Sequence, residues 1–302
     1  MFPFKIFLII ATASFPVFNS YAQDLPRTTL YMFNRQLYNP AANGTDAAGT
    51  NASVLYRHQY ANIKGAPRYI SAWGDHRFAA KKMAVGLNVN SFRYGITREN
   101  EVTANYAYLL PVTRKIKLSM GLRAGLAGVS VRTAELNNVW DENDQAVSDL
   151  HFSQTYGKIG AGFQLYSDKF YAGVSAPDLF SGKKAFFVDT DRSVLSRANY
   201  ILYAGGTIGL NDSYRLLPSA ITYISDNNTQ LYGSILFEVK QYFLAGITVS
   251  TNAMFSLTAG AYLSPRIRFG YSYEFSKPGA IARLNTHELN IRYAVDNLFR
   301  QK

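Results

Sequence analysis

Apolar and polar residues alternate along much of this sequence, most regularly in its last third. From residue 267 to residue 275 every second side chain is apolar or aromatic, and the side chains between them are polar or small. The same alternation returns at residues 257–263 and 289–295. Because successive side chains of a strand point to opposite faces, this period of two predicts a sheet with one apolar and one polar face.

More than a dozen segments of this kind predict an all-β fold: a transmembrane outer-membrane β-barrel at residues 50–302. About fourteen antiparallel strands are expected, each close to the ~9–11 residues that a tilted membrane strand needs. The predicted strands are residues 51–59, 68–78, 83–93, 98–110, 116–131, 152–166, 169–177, 198–210, 214–224, 229–239, 241–250, 252–263, 266–275 and 285–296.

The links between these strands alternate in length. The link after every second strand is a tight turn, whereas the two long links, residues 132–151 and 178–197, both belong to the other set. Outer-membrane barrels have short periplasmic turns and longer extracellular loops. We therefore expect the long links to face outward and, because the strand number is even, both termini to lie on the periplasmic side.

The residues before the first strand divide into two parts. Residues 1–22 combine Lys5, an apolar run and the small-x-small triplet Ser20-Tyr21-Ala22, which predicts a cleaved secretory signal peptide. An N-terminal membrane anchor is the alternative, but the apolar run is shorter than the ~20 residues that span a bilayer. Residues 23–49 contain Asn-Pro and Asn-Gly turn pairs, and we expect them to form a plug of the barrel or a periplasmic strap.

The composition narrows the possible partners. The 302 residues include no cysteine, so packing or barrel closure must stabilise the exported chain without disulfides. The formal net charge is +11. Such a charge suggests nucleic-acid binding in a cytosolic protein, but an export signal argues against nucleic acid as a partner. The charge instead suits a barrel lumen, membrane lipid headgroups or an acidic protein.

Charged residues are unevenly distributed between the short and the long links. Acidic residues cluster in the first long link, at Asp141, Glu142, Asp144 and Asp149. We predict that basic short turns form a periplasmic rim that docks an acidic partner; the alternative is that they are ordinary solvated turns. The rim residues are Lys81, Lys82, Arg114 and Lys115.

The sequence predicts neither a catalytic nor a metal site. Its four histidines lack ligand spacing, and a zinc site is disfavoured without cysteine. Residues 141–152 resemble a calcium loop only loosely, because Ala146 replaces the turn glycine and Phe152 replaces the bidentate glutamate. We therefore expect no cofactor and no enzymatic activity. A barrel enzyme with a nucleophile and a base at one rim is the alternative.

An arginine flanked by aromatic residues lies on the first predicted strand, within Tyr56-Arg57-His58-Gln59-Tyr60. By alternation, Arg57 and Gln59 share the face opposite to Tyr56. We expect Arg57 to face the lumen, because an arginine on the lipid face costs roughly 2–4 kcal/mol at the membrane midplane, although near a rim either face is possible. Glu288 on the last strand is its candidate partner, because first and last strands are neighbours in a closed barrel. This pair is expected to be structural rather than catalytic.

Several short motifs follow one another along the chain in a characteristic order. They are Tyr21-Ala22-Gln23, Phe33, Asn39-Pro40-Ala41-Ala42-Asn43-Gly44, Tyr56-Arg57-His58-Gln59-Tyr60, Gly65-Ala66-Pro67, Leu217-Pro218, Gly270-Tyr271-Ser272-Tyr273 and Thr286-His287-Glu288-Leu289. In these motifs the chain resembles the PorP/SprF family of type IX secretion system outer-membrane proteins of Bacteroidetes. It departs from the family at Tyr60, where tryptophan is common, and at Phe299, a terminal aromatic three residues from the end.

The resemblance implies a non-enzymatic barrel in the outer membrane. Such a barrel helps to export cargo with a C-terminal sorting domain, or holds such cargo, for example a gliding adhesin, at the cell surface. The implied partners are the type IX translocon, periplasmic ring components, the cargo protein and outer-membrane lipid.

Two other functions stay open. The Asn39-Pro40-Ala41 motif also resembles the hatch of fatty-acid channels with fourteen strands, and this suggests a transporter of hydrophobic small molecules. A structural porin is the other alternative, and it predicts ion conductance through an open lumen.

Overall fold

The computed structural model describes residues 27–132, 151–181, 199–225, 228–251, 254–276 and 284–295. Within these ranges the chain forms a closed antiparallel β-barrel, and a few short helical turns precede its first strand. The turns are Tyr31–Phe33, the helix α1 at Arg35–Tyr38, and Pro40–Ala42; a further turn follows at Ala79–Lys81. No helix among the described residues is long and apolar enough to cross a membrane.

Fifteen strand segments build the barrel wall. Because β8 and β9 both pair with β10, they are two parts of one strand, and the barrel has fourteen strands. Each of the fourteen predicted segments overlaps one of these strands, which confirms the predicted fold. In chain order they are β1 (Thr50–His58), β2 (Arg68–Phe78), β3 (Met83–Tyr94), β4 (Thr97–Pro111), β5 (Lys117–Arg132), β6 (His151–Tyr166), β7 (Phe170–Ser181), β8 (Tyr200–Gly206), β9 (Ile208–Gly209), β10 (Tyr214–Ser225), β11 (Asn228–Val239), β12 (Phe243–Ser250), β13 (Met254–Ser264), β14 (Ile267–Ser276) and β15 (Asn285–Ala294).

The barrel closes between its first and last strands. β1 pairs with β15, from Asn51 opposite Ala294 to His58 opposite His287, and it pairs with β2 on its other side. Away from this seam, the ring is completed by the pairing of β10 with β11. Each of the fourteen strands therefore has a neighbour on both sides, which satisfies backbone hydrogen bonds in a bilayer that offers no water.

The outer face of the barrel is apolar and its inner face is polar. On β5 the outward Leu122 is 62% exposed, whereas the next residue, Arg123, is 3% exposed. On β15 Ile291 and Arg292 show the same contrast, at 53% and 6%. An apolar outer surface around a polar interior is the arrangement of a barrel surrounded by lipid. The chain is therefore an outer-membrane protein.

The two ends of the barrel differ in the length of their links. We call one end the short-turn end, because it carries tight turns such as residues 79–82 and 112–116. At the other end, which we call the long-link end, β5 and β7 end and β6 and β8 begin. β1 begins and β15 ends at the short-turn end, which by the rule for outer-membrane barrels is expected to face the periplasm.

One strand is longer than its sequence pattern indicates. The alternation predicts that the seventh strand ends at residue 177, but β7 continues to Ser181. The pairing of β6 with β7 shifts register between Ile159 and Ala161, beside Pro177. This bulge accommodates a proline that otherwise ends a strand, and pairing resumes beyond it.

Candidate functional site: the filled lumen

Residues 27–49, which we call the lumen segment, lie inside the barrel. The Tyr31 hydroxyl donates to the Ser234 hydroxyl on β11 at 3.0 Å. The Asn88 side chain on β3 donates to the Gln36 carbonyl at 3.1 Å. β11 and β3 lie on opposite sides of the closed sheet. A segment that contacts both of these walls has to occupy the lumen.

The turn residues of the sequence motif give the lumen segment its shape. The Asn39 side chain accepts the Ala41 N–H at 2.8 Å, and Pro40 occupies the first position of the helical turn, where its missing N–H costs nothing. Gly44 has a φ angle of +72°, which favours glycine. A Cβ at Gly44 would also lie 2.4 Å from the Cβ of Ala84 in the wall.

Glycines of the barrel wall make room for this turn. A Cβ added to Gly121 on β5 would lie 2.1 Å from the Ala41 nitrogen, and one added to Gly162 on β6 would lie 2.2 Å from the Asn39 Oδ1 atom. Both distances are far below van der Waals contact, so only glycine permits this close approach. Sequence reasoning missed these two residues. Their inward position in the strand alternation is the signal that could have identified them.

A buried ion cluster, which we call the Glu288 clamp, holds the start of the lumen segment. Glu288 accepts the N–H groups of Thr29, at 2.9 Å, and Leu30, at 2.8 Å. Its carboxylate also lies 2.8 Å from Arg57 Nη1, and Arg57 Nη2 lies 2.9 Å from Glu274. The structure thus brings Arg57 and Glu288 together in the lumen. Sequence reasoning missed Glu274, because its position beside Arg57 depends on strand register. It also missed the two backbone donors, because their position depends on the path of the lumen segment.

A second cluster, the Asp46 clamp, holds the end of the lumen segment. The Asp46 carboxylate accepts hydrogen bonds from Arg35 at 2.5 Å, from Gln36 at 2.7 Å and from Arg292 on β15 at 2.8 Å. Burial raises the pKa of Asp46, but the guanidinium groups of Arg292 and Arg35 outweigh burial and hold this pKa well below its usual range. The carboxylate is therefore ionised at neutral pH and ties the segment to the wall.

The lumen segment runs from the long-link end to the short-turn end. The Glu288 clamp joins the end of β1 to the start of β15, and both lie at the long-link end. The Asp46 clamp uses Arg292, near the short-turn end of β15. The expectation that both termini lie on the periplasmic side therefore holds for the start of β1 and the end of β15, but it does not hold for residue 27. Residue 27 lies near the opposite end, because the segment spans the lumen before Thr50 begins β1.

Other predicted residues lie outside the lumen. Tyr56 points outward from β1 and is partly buried, and Gln59 follows the end of that strand, where its N–H donates to the Pro67 carbonyl at 2.9 Å. The rim residues are exposed in two turns at the short-turn end, on either side of the β3–β4 hairpin. They are Lys81, Lys82, Arg114 and Lys115. The signal peptide and the acidic residues Asp141, Glu142, Asp144 and Asp149 lie outside the described residues.

The described lumen is organised to fix a segment of the chain. Arg123 on β5, for example, donates to the carbonyls of Gln36 and Leu37 at 2.7 and 2.9 Å. In the described part of the chain, no group of three or more histidine, aspartate or glutamate side chains could hold a metal ion. What the arrangement can do is retain the segment, or release it if the clamps open.

Comparison with known proteins identified one family. The family model described as "Type IX secretion system membrane protein PorP/SprF" matches residues 20–293. This match covers nearly the whole chain, including both clamps and every strand from β1 to β14. No curated protein matches the sequence.

Several solved structures are distantly similar to this chain. Omp33 of Acinetobacter baumannii shares 10% identity over 82% of this chain and 98% of its own, with a TM-score of 0.47. The monoaromatic hydrocarbon channel CymD shares 12% over 86% and 92%, with a TM-score of 0.49. The toluene transporter TodX of Pseudomonas putida shares 9% over 84% and 90%, with a TM-score of 0.45. Similarities at this distance do not assign a function.

Proposed function

The chain belongs to the PorP/SprF family of type IX secretion system membrane proteins, and on this premise we propose its function. The barrel is a non-catalytic outer-membrane component of type IX secretion. It aids the export of cargo with a C-terminal sorting domain, or attaches such cargo, for example a gliding adhesin, to the cell surface. Its partners in this role are the translocon, periplasmic ring components and the cargo. The family match over residues 20–293 is the observation that carries the proposal.

The filled lumen supports a docking role rather than that of a conduit. The lumen segment is tied at both ends, by Glu288 to the wall near the long links and by Asp46 near the short turns. A folded cargo domain is far larger than the lumen of a fourteen-stranded barrel that already contains a segment of its own chain. Cargo is therefore bound at an end or a side of the barrel.

A deletion strain tests the proposed function. Cells that lack this chain are expected to retain their sorting-domain cargo in the periplasm, and a plasmid copy is expected to restore surface display. The measurement is immunoblotting of surface-exposed and periplasmic fractions. Normal display of every sorting-domain protein in the deletion strain would contradict the proposal.

The exposed basic rim supports docking of an acidic partner at the periplasmic end. A backbone hydrogen bond joins Lys82 to the end of β4, where the Leu109 N–H donates to the Lys82 carbonyl at 2.7 Å. The turns that follow β2 and β4 therefore lie side by side. Four positive side chains on one sector of the rim favour association with a negatively charged surface. These are Lys81, Lys82, Arg114 and Lys115.

Charge reversal tests this docking surface. Replacing all four rim residues with glutamate is expected to abolish co-purification of the periplasmic partner. The control replaces Lys169, Lys240 and Arg266 with glutamate; these three residues are exposed in turns at the same end but on other sectors of the barrel. Unchanged recovery with the rim variant, or equal loss with the control, would overturn specific docking.

A transporter of hydrophobic small molecules is the second candidate function. The ladder between β8 and β10 is interrupted at Thr207, opposite Leu217 and beside Pro218, which has no N–H to donate. An apolar groove of about 670 Å³ lies at this interruption, with Ala204 and Gly233 in its lining. If the chain is a transporter, deletion reduces uptake of a labelled fatty acid and leaves cargo display intact. If it serves secretion, the reverse result is expected.

A further inference from the structure

A row of basic side chains crosses the outer face of the barrel at the long-link end. Arg68 on β2 lies opposite Arg93 on β3, and Arg93 lies opposite Arg98 on β4. All three side chains are exposed. We call these three residues the arginine row. His58 on β1, directly opposite Arg68, extends it by one strand.

The arginine row lies at the border of the apolar belt. On the same outward faces, Ile70 is two residues from Arg68, Val89 is four residues from Arg93, and Val102 is four residues from Arg98. These three aliphatic side chains are 49%, 45% and 50% exposed. At about 3.3 Å per residue, the arginines lie roughly 7–13 Å beyond the aliphatic side chains. The arginines therefore lie beyond the apolar belt, on the side of the lipid headgroups.

The acidic side chains of β4 nearest to the row lie on the inner face of the sheet. Glu99 and Glu101 are close in sequence to Arg98, but they point into the lumen. Glu99 accepts the Tyr156 hydroxyl at 2.6 Å, and Glu101 forms an ion pair with Lys158. Within the described ranges, Arg68 and Arg98 form no ion pair. Their positive charge therefore faces the membrane border.

The row is confined to one sector of the barrel. On other strands, outward positions at the long-link end carry aromatic side chains, such as Tyr200 on β8, Phe255 on β13 and Phe275 on β14. Aromatic residues are the usual anchors at a membrane interface. Replacement of these anchors by three adjacent arginines indicates a ligand of opposite charge in that sector.

We propose that the arginine row binds the phosphate groups of an outer-leaflet glycolipid, lipopolysaccharide. The long-link end is the end expected to face outward, and phosphorylated glycolipid forms the outer leaflet of an outer membrane. Arginine presents a planar fork of donors that matches phosphate geometry. Neighbouring strands are ~4.8 Å apart, so three arginines span about 10 Å and can engage one anionic headgroup together.

Lipid binding by the purified full-length barrel in detergent tests this proposal. The probes are bisphosphorylated lipid A and the same lipid after enzymatic removal of its phosphates, and native mass spectrometry measures the bound fraction. Near an anionic surface each arginine contributes about five-fold in affinity. The variant Arg68→Ser, Arg93→Ser, Arg98→Ser is therefore expected to bind bisphosphorylated lipid A roughly 100-fold more weakly. The dephosphorylated lipid is expected to bind both proteins with the same low affinity.

Two further variants separate charge from folding. The triple Arg→Lys variant keeps the charge and is expected to retain most of the binding. The control Lys169→Ser, Lys240→Ser, Arg266→Ser removes equal charge at the short-turn end and is expected to bind like the unmodified chain. Folding of each variant is checked by its heat-modifiable migration on gels.

Four results would overturn the assignment. The first is equal binding of both lipid forms by the unmodified chain. The second is an equal loss of binding in the short-turn control. The third is displacement of lipid A by low millimolar inorganic phosphate, which would make free phosphate the ligand. Loss of an acidic co-purifying protein from the arginine variant, with lipid A binding unchanged, would assign the surface to a protein instead.

Discussion

At the scale of single residues, the lumen depends on charges that compensate one another. Arg57 lies between two carboxylates, those of Glu274 and Glu288, and all three side chains are buried. Removing a charge from such a cluster leaves its partners without compensation in a site with little water. The resulting loss of stability is much larger than the net stabilisation that the intact ion pair provides. The clamps therefore fix the position of the lumen segment more than they add to stability.

The first prediction concerns the Glu288 clamp. Arg57→Met leaves Glu274 and Glu288 buried without a cation, so we expect the free energy of unfolding to fall by about 3–5 kcal/mol. Urea unfolding in lipid vesicles measures this value. Trp73 reports on it by fluorescence, because its indole N–H contacts Asn34 of the lumen segment at 3.0 Å. The exposed control Arg68→Met is expected to change it by less than about 0.5 kcal/mol. Equal effects of the two substitutions would contradict the clamp.

The second prediction concerns the pH dependence of the Asp46 clamp. Its pKa is lowered in the folded state, so its stabilisation is present above the unfolded value of about 3.9 and is lost as pH falls through the folded value. The difference in unfolding free energy between the native chain and Asp46→Asn is therefore expected to be constant above about pH 5 and to shrink below about pH 4. A difference that grows on acidification would show that Asp46 is not held ionised by Arg35 and Arg292.

At the scale of elements, the strands and the lumen segment differ in how far sequence predicts them. Alternation fixes each strand locally, so all fourteen could be found, and only boundaries such as that of β7 at Pro177 depend on tertiary pairing. The lumen segment has no period, and its conformation is set by distant wall residues. Arg57 and Glu288 could be paired because closure makes their strands neighbours. Gly121 and Asp46 could not, because their partners are known only once the segment is in place.

The third prediction concerns the lumen segment as a plug. The full-length barrel is expected to show no steady conductance in planar bilayers, whereas deletion of residues 28–46 opens a conducting pore. Gly121→Val, whose side chain collides with Ala41, is expected to give intermittent openings. The control Gly157→Val lies on the next strand, where an added Cβ meets no atom within 4 Å, and is expected to stay closed. Steady conductance of the full-length chain would identify a porin instead.

At the scale of the whole molecule, the two ends of the barrel have different chemistry. The short-turn end carries the basic rim, and the long-link end carries the arginine row on its lipid-facing side. The barrel wall between them is apolar outside and holds a clamped segment inside. Both proposed surfaces require that the short turns face the periplasm.

The fourth prediction tests this orientation directly. The chain has no cysteine, so a single introduced thiol can be labelled without background. Lys64→Cys, exposed in the link between β1 and β2 at the long-link end, is expected to react with a membrane-impermeant maleimide on intact cells. Lys82→Cys at the short-turn end is expected to react only after the outer membrane is permeabilised. The opposite labelling pattern would show that the barrel has the inverse orientation. The basic rim and the arginine row would then lie on the wrong sides of the membrane.

The most direct test of the secretion role is affinity purification of the tagged chain from gently solubilised outer membranes, with every co-purifying protein identified. Type IX translocon subunits are expected to co-purify, together with a large surface protein that carries a C-terminal sorting domain. Recovery of the barrel alone, with bound fatty acid or lipid in its wall groove, would contradict the secretion role and make the Asn39-Pro40-Ala41 segment the hatch of a transporter.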